Sequence, residues 1–189
     1  MTIRYVFKSR YEYTFFKARL VPLYSQEVNR VVNYKYVALD PNVANMSSVT
    51  NLIGGAARIT NVTLSRTVEE GIRESLEVET VEKKRCKKDI CGKPDFLKDG
   101  IPGEIKSFNG RVKPYVLEKG VRQATVYSWL YNTRYAYLVI GIYEPISDVE
   151  ALIKDIVMTR LELEYFNEEM LKREKASEEI NTIYAELPG

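Results

Sequence analysis

The side chains best able to do chemistry lie in one stretch, Gly92-Lys93-Pro94-Asp95-Phe96-Leu97 followed by Lys98-Asp99-Gly100-Ile101-Pro102-Gly103 and Glu104-Ile105-Lys106. Side chains alternate across a strand, so Glu104 and Lys106 share one face with Ile105 opposite. Lys98-Asp99-Gly100 is a hairpin signal, because Asp-Gly tolerates the positive φ of a tight turn. A hairpin closed there brings Asp95 beside Glu104. Two carboxylates so placed repel each other. A divalent cation resolves that conflict, and hard oxygen ligands with retained waters suit Mg²⁺ or Mn²⁺. A lysine beside such an ion orients or helps deprotonate a water, or steadies charge developing on a phosphate.

The elements that must position these groups read as a mixed α/β domain. Thr67 to about Lys83 has apolar residues at helical spacing among glutamates and is expected to be an amphipathic helix. Two short strands follow, Asp89 to Leu97 and Ile101 to Phe108, joined by the Asp-Gly turn. Tyr115 to Tyr131 reads as a helix and Tyr135 to Tyr143 as a buried strand. Ile146 to Glu186 reads as strongly helical, because Val149, Leu152, Ile153, Ile156, Val157 and Met158 give a broad apolar face. Asp40-Pro41-Asn42 is a turn signal and Gly54-Gly55 a loop or helix start, but residues 1–60 otherwise stay unassigned. The expected organisation is an N-terminal segment over 1–60, a core over 61–145 and a helical C-terminal extension over 146–189.

Composition sets the outer limits. The chain has 189 residues, fourteen tyrosines, two cysteines and no histidine. That length suits one domain. Without histidine, catalytic triads built on imidazole and His-ligated zinc sites are excluded. Cys86 and Cys91 have no further thiol to complete a metal site; they are expected to be two ordinary thiols, with a local disulfide the minority option. The longest apolar run, Tyr135 to Tyr143, is far short of a membrane span, and the N-terminus lacks the apolar segment of a signal peptide. A cytoplasmic protein without a membrane partner is expected. Charge is segregated: residues 83–122 hold twelve basic and five acidic side chains, a balance of +7, and residues 144–189 hold five basic and twelve acidic, a balance of −7. A basic middle suggests a local polyanion-binding surface.

Pro94-Asp95, eight intervening residues and Glu104-Ile105-Lys106 resemble the signature of the PD-(D/E)XK nuclease superfamily. The flanking Gly-Lys-Pro-Asp-Phe-Leu and Gly-Glu-Ile-Lys-Ser are similar to its RecB-like branch, which includes CRISPR-associated exonucleases and relatives in archaea and their viruses. That branch also has a Gln-x-x-x-Tyr motif on the following helix, matched by Gln123-Ala124-Thr125-Val126-Tyr127. The resemblance covers about residues 66–143. It implies a restriction-endonuclease-like core, a central mixed sheet flanked by helices. It also implies that Asp95 and Glu104 bind metal with the Ile105 carbonyl as a further ligand, and that Lys106 is catalytic. Gln123 and Tyr127 would contact substrate or orient the site. The family's first motif is an acidic residue on the preceding helix, and Glu74 is the first choice among Glu69, Glu70, Glu74 and Glu77. The chain departs from the exonucleases in lacking their iron–sulfur cysteines, so no cluster is expected.

The function expected is Mg²⁺- or Mn²⁺-dependent hydrolysis of DNA phosphodiester bonds, with Arg122, Lys93, Lys84, Lys87 and Arg111 as phosphate-contact candidates. A Holliday-junction resolvase or restriction-type endonuclease, working as a symmetric homodimer, uses the same site. A nucleic-acid-binding protein without turnover and a partner-binding subunit using the C-terminal helix are the readings outside enzymes.

Overall fold

In the computed structural model, residues 7–33 and 56–174 are described, the first eight of the latter by backbone alone. The fold is mixed α/β, a six-stranded mixed sheet with three helices around it. β1 (Arg10–Tyr13) and β2 (Phe16–Asn33) precede helix α1 (Ala56–Leu76). A small hairpin of β3 (Arg85–Lys87) and β4 (Ile90–Gly92) leads into β5 (Phe96–Lys98) and β6 (Ile101–Asn109). Helix α2 (Pro114–Leu130), β7 (Tyr135–Pro145), β8 (Glu150–Phe166) and the short α3 (Glu168–Glu174) complete it. The sheet order is β1-β2-β8-β7-β6-β5, and β3-β4 stands apart. Only β6 and β7 run parallel, joined by the α2 crossover.

Asp99 and Gly100 both take positive φ, 52° and 79°, so the Asp-Gly turn closes the β5–β6 hairpin as its sequence predicts. Helix α2 and strand β7 also lie within a few residues of their expected bounds. Helix α1 ends at Leu76, not near Lys83, where Glu77 turns to φ 53° and Glu79 bridges to Leu97. A second hairpin was not expected: Lys88 and Asp89, at φ 48° and 68°, turn β3 into β4. Cys86 and Cys91 face each other across it and form a disulfide, which corrects the expectation of two free thiols.

The largest correction concerns Ile146 onward. Glu150–Phe166 is a strand of 17 residues in the middle of the sheet, and among the described residues that follow Pro145 only Glu168–Glu174 is helical. The N-terminal segment supplies its neighbour, the 18-residue β2. The turn expected at Asp40 to Asn42, the loop or helix start at Gly54-Gly55 and the helix expected beyond Glu174 lie outside the described residues. Among the described residues no helix is long and apolar enough to cross a membrane.

Both faces of the sheet are covered. α2 packs on one, where Val121, Ala124 and Leu130 meet Leu138, Ile140, Val157 and Leu161. α1 packs on the other, where Val68 and Ile72 meet Phe96, Ile105, Val139, Ile153 and Ile156. β7 therefore sends apolar side chains both ways, which is why it reads as an unbroken apolar run.

Candidate active site

The β5–β6 register pairs Phe96 with Gly103, and the Asp95 N–H donates to the Gly103 carbonyl at 2.9 Å. Asp95 thereby stands opposite Glu104. The register is locked by shape: a Cβ on Gly103 would sit 2.0 Å from the Phe96 ring, so the ring lies flat on a residue with no side chain. Asp95 Oδ2 accepts a hydrogen bond from the Ile105 N–H at 2.7 Å, and the Asp95 and Glu104 carboxyls stand within hydrogen-bonding range. Lys106 Nζ is 3.3 Å from Glu104 Oε1. Ile105 points the other way, into the core beneath α1.

Glu104 is only 6% exposed, although it is charged in ordinary solution. Burial, then the charge of Asp95, pushes its pKa well above the usual carboxylate range. Burial also raises Asp95, against the Ile105 N–H and the Lys106 ammonium, which favour its charged form. The two carboxyls form a coupled pair, both shifted toward the protonated form. For Lys106 burial acts to lower the pKa, but the charges of Glu104, Glu69 and Asp95 outweigh it and the pKa rises. The ammonium is held charged by its carboxylates.

The carboxylate that α1 contributes is Glu69 rather than Glu74. Glu74 is turned outward, 64% exposed at its side chain, in an ion pair with Arg30 of β2 at 2.5 Å. Glu69 is half-buried, hydrogen-bonds with Ser107, and feels the charges of Asp95 and Lys106. Burial, then Asp95, lifts its pKa to about 7. The helical spacing of α1 could have found it: Val68 and Ile72 are fully buried, and Glu69 adjoins that face while Glu70 is exposed.

Helix α2 crosses close above Lys106. A Cβ on Gly120 would lie 2.9 Å from Lys106 Cγ, so the glycine makes room for the lysine stem. Lys119, beside it, is a second site cation that sequence reasoning did not single out. Burial, then repulsion by Lys106, lowers its pKa, with Glu104 opposing. Gln123 lies one turn further along the same face, 5% exposed, its Oε1 without a hydrogen-bond partner among the described residues. Tyr127 is 3% exposed and its ring packs under Gly92 of β4.

The expected phosphate contacts divide into two groups. Lys93, Lys84 and Arg111 are exposed. Lys87 and Arg122 are engaged within the fold. Lys87 Nζ donates to Asn132 Oδ1 at 2.7 Å and lies over the Trp129 ring, while Arg122 lies over the Tyr13 ring and pairs with Glu118 at 3.9 Å.

Among the described residues no group of three or more carboxylate or thiol side chains stands as a preassembled metal shell. Asp95 and Glu104 stand together as a pair of hard oxygen donors, with Glu69 acting on them through its charge. Compared with protein families, curated proteins and solved structures, the chain matches none.

Proposed function

We propose that this protein is a metal-dependent nuclease that hydrolyses DNA phosphodiester bonds on a restriction-endonuclease-like core. The observation that carries the reading is the buried confrontation of Asp95 and Glu104 with Lys106 at 3.3 Å. Three carboxylates, Asp95, Glu104 and Glu69, face one paired ammonium, and such an excess of buried negative charge calls for protons or for a cation. The donors are all oxygen, which fits Mg²⁺ or Mn²⁺ with several waters retained. Asp95 and Glu104 would hold the ion, with the Ile105 carbonyl as a further donor. An ion there supplies a nucleophile at neutral pH and offsets charge on the phosphate.

The chain's own groups do the rest. Lys106, kept charged by Glu104, donates a hydrogen bond to the attacking water or to a phosphate oxygen. Glu69, with a pKa of about 7, exchanges a proton near neutrality and is suited to accept one from that water. The buried Gln123 amide offers an unfilled acceptor beside this cluster. The order of α1, the β5–β6 hairpin, α2 and the parallel strand β7 supports the core assignment.

Labelled single-stranded, duplex and branched DNA incubated with Mg²⁺, Mn²⁺ or chelator tests the reading. Cleavage is expected with Mn²⁺ or Mg²⁺, none with chelator, and background levels for Glu104→Ala with its circular dichroism unchanged. Undiminished cutting by Glu104→Ala would remove the assignment.

A further inference from the structure

We propose that Lys119 is a phosphate anchor, its ammonium contacting a non-bridging oxygen of the phosphodiester presented to Asp95, Glu104 and Lys106. The inference rests on reading that cluster as a nucleic-acid-hydrolysing site and adds the residue that seats the substrate. Position is the first ground. Gly120 lies against Lys106 Cγ, so the α2 backbone at 119–120 is directly over the lysine of the site, and Lys119 lies within the electrostatic field of both Lys106 and Glu104.

The second ground is that Lys119 has no hydrogen bond or ion pair among the described residues. Its basic neighbours do: Lys106 of the site pairs with Glu104, and Arg122 of the same helix pairs with Glu118. A half-buried ammonium next to a second one, without a counter-ion, is unfavourable until an anion arrives. Burial and Lys106 together depress its pKa, which is the cost of that arrangement expressed as proton affinity.

Charge balance identifies the anion. Asp95, Glu104 and Glu69 when ionised are cancelled by Lys106, Lys119 and one divalent cation, leaving a single positive charge. A phosphodiester carries one negative charge and completes neutrality. Without Lys119 the same assembly would be neutral before substrate arrived and would exert no net attraction on a phosphate.

Fluorescence anisotropy with labelled single-stranded and duplex oligonucleotides in Ca²⁺, over a range of salt, reads binding apart from turnover. Lys119→Gln should raise Kd about tenfold and reduce the slope of log Kd against log salt by about one. Lys119→Arg should restore both, and neither variant should melt below wild type or bind Mn²⁺ more weakly. Unchanged Kd and slope in Lys119→Gln, or no oligonucleotide binding by wild type, would overturn the proposal. If wild type binds with the Lys119-dependent slope yet never cuts with Mn²⁺, the anchor stands and hydrolysis falls. If wild type cuts and Lys119→Gln binds as tightly, hydrolysis stands and the anchor falls.

Discussion

Glu69 carries the clearest consequence at the scale of single residues. Its carboxyl rises from 4.5 to about 7 on folding, so the native state holds a proton that the unfolded chain releases at lower pH. The stability tied to that proton is complete below pH 4.5 and is lost as pH climbs through about 7. Asp95 and Glu104 shift in the same direction. In chelator, Glu69→Gln should therefore be more stable than wild type at pH 8, by about 1–3 kcal/mol, and little different at pH 4. Thermal melts at the two pH values check the sign, and a variant less stable at pH 8 would show that Glu69 is not strained by its neighbours. Gly120 makes a second residue-scale case. Gly120→Ala puts a methyl 2.9 Å from Lys106 Cγ and should displace that lysine. Expected is a drop in turnover of roughly tenfold, in line with about 1 kcal/mol lost at a misplaced group, with Kd for oligonucleotide nearly unchanged.

Among the elements, the β3–β4 hairpin is held by more than its own ladder. Its disulfide closes it, Arg85 lies over the Tyr131 ring, and Gly92 packs on Tyr127 three residues before Asp95. Closing so short a loop restricts the unfolded chain by about 2 kcal/mol. Reduction, or replacing both cysteines with serine, should lower stability by that amount in urea titrations. Equal stability of oxidised and reduced protein would mean that native contacts alone secure the hairpin.

The elements also show what the sequence could and could not reveal. The β5–β6 hairpin was legible because Asp99-Gly100 needs a turn whichever fold surrounds it, and the strict alternation along Glu104-Ile105-Lys106 set their faces. Strand β8 was not legible, for two physical reasons. It is buried on both sides, so its apolar residues do not alternate. Its pairing with β7 also shifts between Ile142 and Tyr143, which match Asp155 and Ile153, leaving Lys154 extra. That bulge returns Ile156 to the face of Ile153, three residues away, and imitates a helical repeat. Strand β2 hides behind similar shifts near Pro22 and between Glu27 and Arg30. The positions of Glu74 and Glu69 were illegible for another reason: Arg30, the ion-pair partner of Glu74, comes from a strand that the sequence did not reveal.

For the whole molecule, β8 is the element that both apolar layers share. Val157 and Leu161 enter the layer under α2, and Ile153, Ile156 and Met158 enter the layer under α1. Cavity formation at Ile156 by Ile156→Ala should cost about 2–5 kcal/mol. Unfolding should remain one transition, with Trp129 fluorescence from the α2 layer and far-UV circular dichroism coinciding in urea. Separate midpoints would show that the layers fold independently. The charge segregation also acquires a structural meaning. Several acidic groups of the last third are tied to basic partners, Glu162 to Arg19 and Arg160, Glu144 to Lys154, and Glu168 to Lys88. The exposed Lys84, Lys93 and Arg111 in the middle are thus left to set the field that an approaching polyanion meets.

Calorimetric titration of Mn²⁺ into wild-type protein and into Glu104→Gln, at pH 6 and pH 7.5, tests most directly whether the acid cluster is an ion site. Wild type should bind Mn²⁺ and release protons, more of them at pH 6 because the raised carboxyls must ionise, and Glu104→Gln should lose most of the affinity while melting as a folded protein. Equal Mn²⁺ affinity in the two proteins, or no binding by wild type at either pH, would contradict it.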